Sequence, residues 1–242
     1  MPRRSRDRCA GLLAAVALVA TVAQAAPTPM KPYTARYQVS YRGLSGGQIE
    51  ASFRPGTAPE QWLYETRAFP NLFGRLAVSP AAHERSTMTI GPAGVQPLAF
   101  EFDDGTDDRS KDVRHTFDWS ARKVTGVAKG KTFTLDVTPG AQNTASVQAA
   151  MIVERLNGRM PTAFRILTGE NLRDYKYWME GTQQIVTPYG QMEAEVWASQ
   201  RIGSDRVSKV WHAPSLGYVP VQAIQYRKGT PEVQMKLVSL QR

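Results

Sequence analysis

Cysteine is almost absent from this sequence, and the one copy lies at its start. Cys9 is the single cysteine in 242 residues, which excludes a disulfide-stapled scaffold and cysteine-rich zinc or iron–sulfur sites. Histidine is nearly as scarce. His83, His115 and His212 are the three copies, and no two stand at the i, i+2 or i, i+4 spacing typical of metal ligands. The apolar run from Ala10 to Ala23 has 14 residues, short of the roughly 20 that a spanning helix needs. No Gly-x-Ser-x-Gly nucleophile elbow occurs. The basic residues form no Lys/Arg block and no basic–aromatic motif, which argues against a nucleic-acid partner.

What is present begins with an export signal. Arg3, Arg4, Arg6 and Arg8 form a basic leader ahead of the apolar run, and Ala23-Gln24-Ala25 supplies the small-x-small pattern of a signal peptidase site. Residues 1–25 are therefore expected to be a cleaved signal peptide, with residues 26–32 a flexible lead-in. The leader carries four basic residues and one acid, Asp7, so its removal lowers the net charge from +9 to +6. It also removes the only cysteine, which suits an oxidising periplasm. A moderate spread positive charge permits attraction to anionic lipid head groups or envelope polymers.

Glycine at 19 and proline at 16 point to many turns and away from a helical bundle. From Tyr33 the dominant period is two. Tyr33, Ala35, Tyr37, Val39 and Tyr41 alternate with polar partners, as do Ile49, Ala51 and Phe53, and then Trp62, Tyr64 and Thr66. Further strands are expected over His83–Ile90, Gln96–Phe102, Val113–Trp119, Phe133–Val137, Phe164–Leu167, Leu172–Glu180, Gln191–Ser199, Val207–Trp211, Val219–Arg227 and Glu232–Leu240, with Gly126 among the glycines that punctuate them. Thr144–Asn157 breaks the period and reads as a helix with Gly158 as its stop, and Leu72–Val78 as a second, shorter helix. The expected fold is mainly β: one large curved antiparallel meander, a half-barrel or open barrel, with one or two helices packed on it. It forms a single domain over residues 33–242, because no composition shift or linker divides it. So many strands must curl as their twist accumulates, and the concave face then either wraps a helix or lines a cavity.

The polar clusters mostly read as structure. Asp103-Asp104-Gly105-Thr106-Asp107-Asp108 has carboxylates enough for calcium, yet lacks a distal glutamate, and Asp-Gly between strands is an ordinary turn. Ser120-Ala121-Arg122-Lys123 has a Ser-x-x-Lys spacing but lies in a turn. Ser146 reads as a helix cap or first-turn residue. Glu193 and Glu195 alternate with Met192, Ala194 and Val196 as wet-face residues, and His83 and His115 sit at wet-face or edge positions. No metal, cofactor or catalytic residue is assigned. The aromatics are the better lead: Tyr37, Tyr41, Trp119, Tyr177, Trp178, Trp197 and Trp211 are the candidate ligand-binding residues, since aromatic side chains on a concave sheet can line a pocket.

Several motifs carry a family resemblance. Tyr33-Thr34-Ala35-Arg36-Tyr37 with Tyr41-Arg42-Gly43-Leu44 and Gly47, then Thr116-Phe117-Asp118-Trp119, Thr187-Pro188-Tyr189-Gly190, and Trp211-His212-Ala213-Pro214 with Gly217-Tyr218-Val219-Pro220-Val221 resemble the exported domain of unknown function 3108. The resemblance implies a periplasmic, mostly antiparallel β domain and supplies no catalytic residue. Where the family commonly has Gln-Asp ahead of the helix, this chain has Gln142-Asn143, with Ser146 retained. The implied curved sheet around a helix is similar to lipoprotein carriers of the envelope, by fold analogy alone. The favoured expectation is a non-enzymatic binding or chaperone-like module for an apolar or amphipathic envelope ligand: a lipid, a lipoprotein or a glycan. The alternatives are an envelope hydrolase with a rim site drawn from His115, His212, Asp118, Glu193 and Glu195, and an outer-membrane β-barrel.

Overall fold

The computed structural model describes residues 30–242. The expected signal peptide, and residues 26–29 of the expected lead-in, lie outside the described residues. The first half of the domain is a run of eight strands: β1 (Tyr33–Tyr41), β2 (Leu44–Pro55), β3 (Gln61–Pro70), β4 (His83–Gly91), β5 (Gly94–Asp103), β6 (Val113–Asp118), β7 (Lys123–Ala128) and β8 (Lys131–Asp136). A two-residue strand, β9 (Gln142–Asn143), leads into the helix α1 (Ser146–Leu156). The second half comprises β10 (Ala163–Thr168), β11 (Asn171–Thr187), β12 (Gly190–Arg201), β13 (Arg206–Ala213), β14 (Val219–Arg227) and β15 (Thr230–Gln241).

All fifteen strands belong to one sheet, in the order β8-β7-β6-β5-β4-β3-β2-β1-β15-β14-β13-β12-β11-β10-β9. Two meanders are thus joined back to back where β1 pairs with β15, and β9 runs parallel to β10. The sheet cannot be flat. At about 4.8 Å per strand, β8 and β9 would stand roughly 65 Å apart. Only residues 137–141 link them, and the six steps from Asp136 to Gln142 reach about 22 Å at most. The sheet therefore coils until its free edges approach each other, as accumulated right-handed twist allows.

Side chains fasten those edges without a ladder between them. Phe117 and Val124 from the first meander pack with Val137, Ala141 and Leu167 in a core cluster of their own. His115 Nε2 lies 2.7 Å from the Gly169 carbonyl in the β10–β11 turn, and Lys129 pairs with Glu170 at 2.8 Å. Gln142 Nε2 donates to the Val95 carbonyl at 2.9 Å. The larger core lies inside the coil, where Ala149, Ile152 and Val153 of α1 meet Phe53, Met88, Val196, Trp211 and Leu237.

Several expectations are corrected. β7 replaces an expected break, because Gly126 lies within the strand: a Cβ there would strike the Arg114 carbonyl and sit 2.8 Å from the Phe133 ring, so glycine serves close packing. β11 runs on past Glu180 to Thr187 through a bulge between Met179 and Gly181. No second α-helix forms over Leu72–Val78; Gly74–Leu76 is a single 3-10 turn, and the segment has no core to bury its apolar side chains against. Met30, placed in a flexible lead-in by the sequence, is buried in the core.

Candidate functional site

The helix N-terminus shows how the interior is organised. Asn143 Oδ1 accepts from the backbone amides of Ala145 and Ser146 at 3.1 and 2.7 Å, while Ser146 Oγ accepts from the Asn143 amide at 2.9 Å. This reciprocal arrangement satisfies amides that a helix start leaves without partners. Asn143 Nδ2 also donates to Ser86 Oγ at 2.9 Å. Asn143 is fully buried, so the amide supplies a donor that an aspartate lacks and avoids an uncompensated buried charge.

Beside this cap lies a cavity of about 360 Å³, bounded by β1–β4 on one side and β13–β15 on the other. Ile49, Ala51, Val210, Ile224, Val233 and Met235 give it an apolar wall. Its polar lining comprises Tyr37, Tyr64, Thr66, Glu84, Thr144, Gln148, Ser208, Lys209, Gln222 and Gln225. The Tyr37 hydroxyl donates to the Pro220 carbonyl at 2.9 Å, tying the two sides together. Thr144 Oγ1 donates to Glu84 Oε1 at 2.5 Å. Burial raises the Glu84 carboxyl above its ordinary range, against the opposing pull of that hydrogen bond. Burial, followed by the nearby Glu84 charge, raises the Tyr64 hydroxyl as well. A cavity with an aliphatic wall, one protonatable carboxyl, the Lys209 side chain and a set of hydroxyls and amides is suited to holding an amphipathic molecule by its chain and orienting its polar end.

Glu84 is the site residue that sequence reasoning missed. Its signal was available: by the period of two, Glu84 shares a face with Ser86, Met88 and Ile90, an acid among inward-facing residues.

Of the seven aromatic candidates, Tyr37 alone lines the cavity. Trp211 is buried in the main core and donates to Gln183 Oε1 at 3.0 Å. Trp197 is buried, with its Nε1 donating to Glu195 Oε2 at 2.9 Å. Trp119 stacks on Phe117 and donates to the Pro97 carbonyl at 2.7 Å. Tyr177 meets the Phe164 ring edge-on. Trp178 and Tyr41 are exposed, and the Arg42 guanidinium lies over the Tyr41 ring; Tyr41 is at the end of β1, beyond the interior that its alternation implied.

The titratable groups proposed for a hydrolytic rim do not meet in a cleft. Glu195 is buried instead of wet: Arg155 from α1 grips it with two hydrogen bonds of 2.8 and 2.9 Å. Burial alone would raise its carboxyl, but hydrogen bonds from Arg155 and Trp197, with the charge of Arg155, hold it below the usual range. His212 faces Glu195 across the ladder, and burial lowers its pKa to about 4 while Nδ1 contacts the Tyr218 carbonyl at 2.8 Å. His115 is likewise buried, not at an edge, and is lowered by burial to about 4. Glu193 is exposed, and Asp118 holds Ser120 and the Ala121 amide in a surface turn. His83 is half-buried beside the Ala81 carbonyl. The acidic run is a turn: Asp103, Asp104 and Asp108 accept from the amides of Gly105, Thr106 and Ser110, and Arg109 bridges Asp103 to Asp112.

Among solved structures, a β-barrel-like protein of domain of unknown function DUF1849 from Brucella abortus is similar to this fold with a TM-score of 0.56. The two share 14% identity, and the match covers 87% of this chain and 97% of that one. A structure from Bacteroides fragilis, described as an exported protein with a YmcC-like fold, aligns at 9% identity over 88% of this chain and 97% of its own, with a TM-score of only 0.33. No curated protein matches the sequence. A family model described as a protein of unknown function, DUF3108, matches residues 36–238. That span is nearly the whole described domain, from β1 through β15, and the chain belongs to the DUF3108 family.

Proposed function

We propose that this protein is a non-enzymatic periplasmic binding module whose cavity holds one apolar or amphipathic molecule of the cell envelope. The observation that carries this reading is the cavity itself: about 360 Å³, walled by aliphatic side chains, with Glu84 and Thr144 at the helix cap as its polar end. Its volume falls in the range of small-molecule sites, about 300–1,000 Å³. The basic leader and small-x-small site of the sequence support export. An outer-membrane barrel is disfavoured because β8 and β9 remain unpaired edges, and open sheet edges are not tolerated in hydrocarbon.

The test is native mass spectrometry of the protein purified gently from its own envelope, with lipid and glycan extraction of the same sample. A stoichiometric co-purifying lipid or glycan is expected. Ile49→Trp, which fills the cavity from the β2 wall, should release it while leaving the fold intact. A clean unliganded mass for the unaltered protein would contradict the reading.

A further inference from the structure

The apolar side chains that the fold leaves outside are not scattered. Of the thirteen large apolar side chains exposed among the described residues, nine fall in or beside three segments: the β1–β2 hairpin tip, the end of β3 with its loop to β4, and the β11–β12 turn. Leu72, Phe73 and Leu76 in the loop are 80%, 71% and 87% exposed, and Leu44 at the hairpin tip is 73% exposed. The three segments adjoin. Asn71 Nδ2 donates to the Ser45 carbonyl at 2.9 Å, and Gly43 and Ser45 line a surface groove together with Val186 and Pro188.

The loop is built to present these residues. The Gly74 amide donates to Asn71 Oδ1 at 2.9 Å, and the Asn71 amide donates to the Gly46 carbonyl at 3.1 Å. Gly74 rests on the hairpin so closely that a Cβ would strike the Gly46 carbonyl and lie 3.0 Å from Pro70 Cβ. The apolar tips are therefore held outward on a fixed backbone. They project from three adjoining tips, with Leu72, Phe73 and Leu76 together on one of them, which suits entry among lipid head groups better than a flat protein interface, whose apolar core is packed and rimmed.

Charge points the same way. Residues 40–46, 68–82 and 185–190 contain no aspartate or glutamate, but hold Arg42 and Arg75. Arg42 is paired with Glu232 at 3.0 Å. Arg75 is exposed beside Leu76 and makes no ion pair among the described residues. Glu232 is buried beneath Arg42, and the acidic turn Asp103–Asp108 adjoins this surface at the far end of the loop, where Ser79 Oγ donates to the Gly105 carbonyl at 2.8 Å. The apolar tips themselves carry no acid and hold the exposed Arg75 guanidinium. That arrangement is complementary to an anionic bilayer, where each basic residue near the surface adds attraction to that of the apolar tips. From this arrangement we propose that the end of the coil formed by the β1–β2 tip, the loop 71–79 and the β11–β12 turn docks reversibly on anionic phospholipid bilayers.

The test is co-sedimentation with vesicles, using protein purified from cells expressing the full-length chain and with its N-terminus defined by mass. Vesicles of phosphatidylcholine alone are compared with vesicles holding phosphatidylglycerol at roughly one part in four, since the surface charge is the variable. The protein is expected to sediment with the anionic vesicles, and raised salt should weaken this. Leu72→Ser/Phe73→Ser/Leu76→Ser should weaken binding at least about tenfold, given the apolar area withdrawn from the interface. Arg75→Glu should weaken it by a few-fold while leaving the melting temperature unchanged. Equal sedimentation of unaltered and triple-variant protein would overturn the proposal, as would failure of the unaltered protein to bind anionic vesicles. Concentration-dependent self-association abolished by the triple variant, without vesicle binding, would assign the surface to a second copy and equally overturn it.

Discussion

The two meanders meet twice, and the two junctions are made differently. At β1–β15 they are joined by backbone hydrogen bonds along a ladder from Thr34–Gln241 to Tyr41–Val233. On the far side of the coil, β6–β8 meet β10 and β11 through side chains: a small apolar cluster, the His115 contact and the exposed Lys129–Glu170 pair. The first junction lies between the two walls of the cavity, with the Tyr37–Pro220 bond reinforcing it. The second closes the coil but leaves β8 and β9 as edges. A binding site gains from rigid support, and here it sits beside the ladder, while the side-chain closure lies remote from it. Stability should therefore differ between the two sides.

The helix is the strut between them, so the largest effect is expected from Glu195→Leu. It strands the buried Arg155 guanidinium, which also lies over the Trp197 and Tyr218 rings, and breaking a buried pair from one side costs about 3–5 kcal/mol. Denaturant unfolding should report that loss. Replacing both partners with apolar residues should recover much of it.

Acid comes next. His115 in the side-chain junction takes up a proton only near pH 4 in the fold, against 6.5 when unperturbed, so acidification through that window favours the unfolded chain. The stability it contributes is complete above pH 6.5 and is lost as the pH falls toward 4, by on the order of 3 kcal/mol at about 1.4 kcal/mol per pH unit. The melting temperature of the unaltered protein should drop over this range. His115→Phe, stacking between Phe100 and Phe133, should remove His115's share of the drop and leave that of His212, which burial shifts alike; an unchanged slope would remove His115 from the account. Gly126→Ala should cost about 1–3 kcal/mol by overpacking against Phe133, and its effect should localise to β6–β8. Lys129→Ala should leave the melting temperature unchanged, because an exposed pair contributes little.

The same contrast marks what was legible in the sequence. The ladder side follows from period-two alternation: Tyr33, Ala35 and Tyr37 face inward as their spacing implied, and most strand positions follow likewise. The side-chain junction was not legible. β7 was hidden because Gly126 has the chemistry of a turn and the role of a packing residue, and only the position of Phe133 separates the two. Glu195 reads as wet because local alternation cannot foresee a partner 40 residues away. The inward position of His115 was legible, since the period of two sets it on one face with Val113 and Phe117, and only its contact 54 residues away was hidden. Glu84 was readable as an inward acid, but its cavity depends on β13–β15 returning beside β1. Asn143 drew attention as a departure from the family pattern, and its capping geometry explains the residue as structure. The segment Leu72–Val78 had helical spacing but no face to bury, and spacing alone cannot supply one.

Native-state hydrogen exchange, resolved by residue, tests most directly the claim that the cavity stands on the firm junction and that the coil is closed by a weaker one. Ladder amides of Tyr37, Ala51 and Leu237 should exchange only through global unfolding. Hydrogen-bonded amides between β7 and β8 and between β10 and β11 should open about a hundredfold more readily, by local separation of the side-chain junction. Equal protection on both sides, or faster opening of the β1–β15 ladder, would contradict the account.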